Sequence, residues 1–211
     1  MSDSAPATRY KAFLFLGAPG SGKGTQGSIL GSVPRFFHCA CGEVFRSLDT
    51  RTELGKKFVD YSSRGELVPD ELTVELWSES IRAKVKSSEF KPDIDFLVLD
   101  GIPRNLAQAK LLEKHIEVYQ IFHLACPDRE ELARRLRKRA LKDNRMDDAS
   151  DEVIRHRIAT YTSETKAVLE HYSPEILSNI NAQQHPLKVL QDILYSITAL
   201  PVWLETKDEV Y

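Results

Sequence analysis

Short apolar segments alternate along the chain with longer segments that have helical spacing. Within one of the longer segments, Leu132, Leu136 and Ala140 recur every four residues, which is typical of a helix. The apolar runs that predict strands are Ala12–Leu16, Phe36–Cys39, Phe96–Leu99, Val118–Leu124 and Ile176–Ile180. This alternation predicts an α/β fold in which helices flank a buried parallel sheet.

The first predicted strand runs into a glycine-rich loop that carries a lysine. Residues Gly17 to Lys23 fit the pattern G-x-x-x-x-G-K, in which small residues let backbone N–H groups wrap a phosphate chain. A helix after the loop directs its positive end at the same phosphates, and Lys23 can reach the β- and γ-phosphates. The eighth position is Gly24 instead of Ser or Thr, and Thr25 follows it. The loop therefore predicts phosphate binding but does not identify a reaction.

Size and composition fit one soluble domain. The chain has 211 residues, 42% hydrophobic residues and a formal net charge of −2, so no long-range attraction to nucleic acid or to acidic membranes is expected. No apolar run approaches the ~20 residues of a membrane span, and residues 1–11 lack the apolar core of a signal peptide. Three cysteines give no disulfide framework, and we expect a reducing, cytoplasmic location.

Cys39 and Cys41 stand beside His38, which invites a metal interpretation. Structural zinc sites need four ligands, usually in paired clusters, and only Cys126 and scattered histidines remain to complete one. We therefore expect buried thiols that pack as small hydrophobic groups.

A second constellation follows the predicted strand at 96–99. Asp100 stands where the carboxyl end of this strand delivers a carboxylate to the sheet edge, and ligands of open α/β sheets bind at that edge. In P-loop enzymes such an aspartate holds Mg²⁺, although an isolated Asp could also cap a helix. Arg104 follows on a turn that Pro103 stiffens, in a position to meet a second anion.

Arginine density marks a third region. Arg135 and Arg139 are four residues apart and share one helical face, whereas their neighbours Arg134 and Arg137 suit a solvated face. A short segment, 140–144, is expected to form a loop that leads to Arg145, which lies near two carboxylates, Asp147 and Asp148. This arrangement predicts a short lid that closes over phosphates.

Together these motifs resemble adenylate kinases of the nucleoside monophosphate kinase family. The resemblance runs from about residue 11 to 189. The matching segments are Gly17–Gln26, Cys41–Arg46, Gly65–Glu71, Asp100–Gln108 and Arg145–Asp148. The family's own P-loop carries Gly after the lysine, which accounts for Gly24. Only five residues separate Arg139 from Arg145, which resembles the short-lid form of the family.

The resemblance implies a P-loop NTPase-type fold and the reversible reaction ATP·Mg + AMP ⇌ 2 ADP. It implies one kinase domain over residues 1–211, with a mobile NMP-binding segment at about 41–72 and a short lid at about 139–147. Mg²⁺ is the implied cofactor, held by Asp100 through water. A monomer that binds ATP and AMP, with no nucleic acid or membrane partner, is expected.

The resemblance also implies residue roles. The ATP site comprises Gly20, Ser21, Gly22, Lys23, Gly24, Thr25, Arg135 and Gln184. The AMP site comprises Cys41, Arg46, Glu66, Leu67, Val68, Gly101, Arg104, Gln108, Arg145 and Arg157. The groups implied to act on the transferred phosphoryl group are Lys23, Arg104, Arg139, Arg145 and Arg157.

Several positions depart from the family pattern. Cys41 replaces a threonine, and Gln184 replaces a glycine that often lines the ATP adenine. The interval from Arg145 to Arg157 is one residue longer than usual, so Arg155 is an alternative for the last arginine role.

Other functions stay open on the sequence. The nearest alternative is a UMP/CMP kinase. Gln108 favours AMP over these acceptors, because its amide can pair with a donor and an acceptor on adenine. A GTPase switch would require the guanine-reading pattern Asn-Lys-x-Asp, which the chain lacks. A catalytically inactive nucleotide-binding protein is disfavoured by the number of arginines.

Overall fold

The sheet consists of parallel strands at the centre of the fold. A computed structural model describes residues 9–143 and 150–202. The strands in this part of the chain are β1 Tyr10–Gly17, β2 Phe36–Ala40, β3 Phe96–Asp100, β4 Ile116–Ala125 and β5 Leu177–Asn181. They pair in the order β2-β3-β1-β4-β5.

Helices connect the strands and cover both faces of the sheet. Their bounds are α1 Lys23–Leu30, α2 Cys41–Arg46, α3 Glu53–Ser63, α4 Asp70–Lys86, α5 Leu106–Leu112, α6 Arg129–Asp143, α7 Asp151–His171 and α8 Pro186–Thr198. A 3-10 turn, Pro174–Ile176, precedes β5. No helix among the described residues is long and apolar enough to cross a membrane.

Strand β1 is buried on both faces and divides the core. Ala12, Leu14 and Leu16 point to one face, where α4 and α7 pack, while Phe13 and Phe15 point to the other, where α1 and α8 pack. Phe13 stacks on Phe96 of β3 with ring centroids 5.1 Å apart. Because neither face meets water, the strand reads as a continuous apolar run instead of an alternating one.

The register of the sheet brings separated motifs to one edge. Phe15 of β1 and Ala40 of β2 both lie opposite Asp100 of β3. The glycine-rich loop after β1, the turn into α2 and the Asp100 carboxylate therefore meet at the carboxyl ends of the strands, where open α/β sheets bind their ligands.

The predicted α/β fold of the P-loop NTPase type, with its parallel sheet, is confirmed. Each predicted strand is present, with β1 and β4 longer by a few residues and Ile176 placed in the 3-10 turn. One local prediction needs correction: α6 continues to Asp143, so residues 140–143 are helical and do not form a loop. The remainder of the expected lid falls in 144–149, outside the described residues.

Candidate functional site

The glycine-rich loop is shaped to surround an anion. Gly20 has φ of +86°, and a Cβ there would lie 2.9 Å from the carbonyl oxygen of Leu132. Only glycine meets both conditions without strain. Helix α1 begins at Lys23, directly after the loop, and the N–H groups of a first helical turn lack partners within the helix. Those N–H groups and the helix dipole make the loop an anion site.

Lys23 lies at the centre of the charged groups. Its Nζ donates to the carbonyl oxygens of Gly17 at 2.7 Å and Ala18 at 3.1 Å. Burial lowers the pKa of Lys23 to about 8; Asp100 opposes this change, while Arg104, Arg139 and Arg157 lower the pKa further. The structure thus brings near one lysine three arginines that come from separate parts of the sequence.

The departure at Gly24 has a steric reason. A Cβ on Gly24 would come within 3.2 Å of Asp100 Oδ2, so the missing side chain makes room for the carboxylate. The donor set suits Mg²⁺, which is held in nucleotide enzymes by one or two carboxylates while phosphates and water complete its shell. Among the described residues no group of three or more His, Cys, Asp or Glu side chains could hold a metal by itself. Asp100 next to the phosphate loop therefore fits a magnesium ion that arrives with the nucleotide.

One cavity of about 820 Å³ connects the loop with the arginines. Its size matches a small-molecule site. The predicted site residues that line it are Gly20, Ser21, Gly22, Lys23, Gly24, Thr25, Cys41, Arg46, Glu66, Leu67, Val68, Asp100, Gly101, Arg104, Gln108, Arg135, Arg139, Arg157 and Gln184. Arg145 lies outside the described residues. Every described residue that the sequence assigned to the site therefore contributes to one cavity.

Arg135 and Gln184 both line the cavity, where Arg135 contacts Ala182. Arg135 donates from Nε to Glu131 at 2.7 Å and from Nη1 to the carbonyl of Ala182 at 3.0 Å, so its guanidinium plane is fixed. The Gln184 amide donates to Asp192 at 2.6 Å. Gln184 lies in the wall of the cavity, and its φ angle is not positive. The backbone at this position therefore does not require glycine.

Arg104 lines the same cavity and lies near Gly101, which is itself close to Cys41 and Gly42 at the start of α2. Its Nε donates to the carbonyl of Gly101 at 2.9 Å, which leaves the fork of its guanidinium for another partner. The Arg46 guanidinium lies close to Gly42 at the start of α2. The guanidinium groups of Arg46 and Arg104 thus both line the cavity close to the start of α2. Arginine forks match phosphate oxygens in bidentate pairs.

The geometry distinguishes between the two arginines considered on α7. Arg157 lines the cavity and lies next to Gly65, where a Cβ would come 3.0 Å from Arg157 Cγ. Arg155 is exposed to solvent and lies near Asp151. Helical spacing places residues two apart on different faces, so only Arg157 faces the phosphate loop.

The cysteines behave as the sequence predicts. Cys39 and Cys41 are buried, and burial raises the pKa of Cys39 to about 12 and that of Cys41 to about 11. Both thiols therefore pack as small, neutral hydrophobic groups in the core. Cys41 lines the cavity at the position where the family has threonine, and offers a weak S–H donor there.

Some residues that shape the site were not predicted from the sequence. Gln26 is 3% exposed; its amide donates to the carbonyl of Pro186 at 2.9 Å, and its Oε1 has no hydrogen-bond partner among the residues that the structure describes. Glu131 holds Arg135, and the spacing of four residues between them on α6 is the signal that could have found this pair. The contact between Gln26 and Pro186 spans 160 positions, so no local pattern predicts it.

Comparisons with known proteins agree with this geometry. A family model described as adenylate kinase matches residues 15–177. The chain is similar to adenylate kinase of Thermobifida fusca, with 38% identity over 80% of this chain and 88% of that protein. It is 35% identical to adenylate kinase of Prochlorococcus marinus subsp. pastoris, over 87% of this chain and 95% of the relative. It is 33% identical to adenylate kinase of Leptospira biflexa, over 89% of this chain and the whole relative. The chain therefore belongs to the adenylate kinase family.

Proposed function

We propose that the protein catalyses the reversible transfer of the γ-phosphoryl group of ATP to AMP, giving two ADP. The observation that carries this proposal is the convergence of Asp100, Arg104, Arg139 and Arg157 on Lys23 within one cavity. Phosphoryl transfer needs positioning and charge stabilisation far more than covalent chemistry. A ring of cations around a phosphate loop meets that need.

The donor nucleotide binds along the glycine-rich loop. The N–H groups from Gly20 to Thr25 cradle its phosphates, and Lys23 follows the transferred group. The adenine lies against Arg135 and Gln184, where the contact of Arg135 with Ala182 keeps the guanidinium plane in place for stacking. Arg139, one helical turn further along α6, reaches the phosphates.

The acceptor nucleotide binds on the side formed by α2, α4 and the turn after β3. Arg46 and Arg104 hold its phosphate, and Arg157 bridges the donor and acceptor phosphates together with Arg145. Backbone and side-chain atoms of Gly101, Gln108, Cys41 and the segment 66–68 enclose its base. This arrangement aligns the two phosphate chains end to end.

The reaction breaks the bond between the γ-phosphorus and the oxygen that bridges it to the β-phosphate, and forms a bond to an oxygen of the AMP phosphate. Lys23 and the arginines stabilise the negative charge that spreads over the equatorial oxygens. Asp100 would hold Mg²⁺ through its water shell, and the ion would supply further charge neutralisation at the phosphates.

Transfer to AMP competes with transfer to water, so the site must close. We assign closure to the segment 41–72 and to the short lid at 139–147. Within the first segment, Phe45 of α2 stacks on Phe58 of α3 with ring centroids 5.2 Å apart, so α2 and α3 pack against each other. Closure over both nucleotides excludes water and completes the set of cations.

The proposal extends to the setting of the enzyme. We infer a cytoplasmic monomer that uses Mg²⁺ with ATP and needs no nucleic acid or membrane partner. A net charge of −2 and uncombined thiols at Cys39, Cys41 and Cys126 support this setting.

A coupled assay of ADP formation with AMP, UMP, CMP and GMP as acceptors tests the function. AMP is expected to give the highest kcat/KM, because the relatives are adenylate kinases and Gln108 lines the acceptor side. Highest turnover with UMP or CMP would establish a pyrimidine kinase instead. ATP binding without transfer to any acceptor would establish an inactive nucleotide-binding protein.

A further inference from the structure

The amide of Gln108 is fixed at both of its ends. Gln108 is 1% exposed and lines the acceptor side of the cavity. Its Oε1 accepts from the backbone N–H of Arg104 at 2.8 Å, and its Nε2 donates to Asp70 Oδ1 at 2.8 Å. These two contacts settle which end of the amide is oxygen and which is nitrogen, because a backbone N–H can only donate and a carboxylate can only accept.

Rotation of this amide by half a turn is strongly disfavoured. The flipped group would place its NH₂ against the Arg104 N–H and its carbonyl oxygen against the Asp70 carboxylate. Two hydrogen bonds, one of them to a charged group, would be replaced by two repulsive contacts. Glutamine amides without such partners can adopt either orientation.

The fixed orientation leaves one donor and one acceptor for a ligand. An amide nitrogen carries two hydrogens and an amide oxygen has two lone pairs, and the contacts with Asp70 and Arg104 use one of each. The Watson–Crick edge of adenine offers an acceptor at N1 and a donor at N6, which complement that pair. Hypoxanthine presents the reverse, a donor at N1 and an acceptor at O6, and would complement only the flipped amide.

Asp70 is itself held in place by a second contact. Its Oδ1 also accepts from Asn105 Nδ2 at 2.9 Å, and Asn105 caps α5 by accepting from the Gln108 N–H at 2.9 Å. Asp70 is the first residue of α4, where a carboxylate is favoured by the helix dipole. The carboxylate thus belongs to a network that joins the starts of α4 and α5.

We propose that Asp70 is a specificity-determining residue, which selects adenine over 6-oxopurines in the acceptor by locking the orientation of the Gln108 amide. Asp70 acts through Gln108 and is therefore a positioning residue. This inference rests on the proposed function, because it takes the acceptor base to lie against Gln108.

The test measures kcat/KM for AMP and for inosine monophosphate in the wild type and in Asp70→Ala. The ratio of AMP to inosine monophosphate is expected to fall by about tenfold or more in the variant, through a higher KM for AMP, while the KM for ATP stays within about twofold. Asp70→Asn retains an oxygen acceptor and should give an intermediate ratio.

Glu71→Gln is the matched control. Glu71 is an exposed carboxylate in the same first turn of α4, so its removal changes the same helix dipole interaction. The control should keep the wild-type ratio, and thermal melts should show that each variant is folded. An unchanged ratio in Asp70→Ala, or the same fall in Glu71→Gln, would overturn the inference.

The wild-type assay separates this inference from the proposed function. A wild type that transfers no phosphoryl group to AMP would refute both the function and the inference. A wild type that strongly prefers AMP, combined with an Asp70→Ala variant of equal preference, would refute the role of Asp70 alone.

Discussion

Replacement of Lys23 by methionine should change stability and activity in opposite directions. Methionine has a similar length and no charge, so it fills the same space in the loop. The pKa of Lys23 falls from its ordinary value of 10.5 to about 8, chiefly by burial. At about 1.36 kcal/mol per pKa unit this lowering corresponds to about 3 kcal/mol by which the folded state disfavours the charged lysine.

The gain in the free energy of unfolding on substitution of Lys23 by methionine should be smaller than this full cost of the buried charge. The Lys23 side chain is partly accessible to water at the cavity wall, and its contacts with the Gly17 and Ala18 carbonyls are lost in the variant. We expect about half, 1–2 kcal/mol, which in a chain of this size raises the melting temperature by about 2–8 °C. Turnover should fall by about 100- to 1,000-fold, as for loss of one preorganised donor in an active site.

The stability difference between Lys23→Met and the wild type should decrease as the pH rises. Below pH 8 Lys23 is charged in both the folded and the unfolded chain, so the full stability difference between variant and wild type is present. Between pH 8 and 10.5 the folded protein loses the proton first, and the difference shrinks.

Thermal melts from pH 7 to 10 measure that difference, with Lys57→Met, an exposed lysine of α3, as the control. A Lys23→Met variant no more stable than the wild type at pH 7 would show that burial of the charge carries no cost, and one with near-normal turnover would show that Lys23 does not act on the phosphates.

Three further predictions concern the same site. Arg104→Ala should raise the KM for AMP by about 10- to 100-fold and leave the KM for ATP nearly unchanged; equal losses for both substrates would contradict its placement. The affinity for ATP, measured by calorimetry, should fall as the pH rises above 8, because bound phosphates favour the charged form of Lys23 and the free enzyme loses that proton in this range. Constant affinity up to pH 9.5 would argue against contact between Lys23 and the ATP phosphates. Gly24→Ser should lower Mg²⁺-dependent turnover by displacing Asp100, with little change in the melting temperature; full activity would show that the carboxylate has room to move.

The fold was predictable where the sequence pattern is local. Runs such as Phe96–Leu99 are apolar throughout because the strand is buried on both faces, and each of them became a strand. The end of α6 was not predictable in the same way. Residues 140–143 end in the charged pair Lys142 and Asp143 and were expected to form a loop, but Lys and Asp are compatible with an exposed last helical turn, and charge alone does not end a helix.

The candidate site was predictable through motifs whose spacing follows from phosphate chemistry. Lys23 and Asp100 belong to separate strand-and-loop motifs, and the parallel register brings them together. The hydrogen bond between Asp70 and Gln108 was not predictable, because it joins residues 38 positions apart that share no motif. Contacts of that kind depend on how two helices pack, which the local pattern does not encode.

A crystal structure with an inhibitor that joins two adenosines through a chain of phosphates would show whether two nucleotides bind end to end in this cavity. We expect one adenine against Arg135 and Gln184, the other against Gln108, and a phosphate chain that passes Lys23 and Arg104. An inhibitor bound with Arg104 turned away from its phosphates, or with the second adenine outside the cavity, would contradict this expectation.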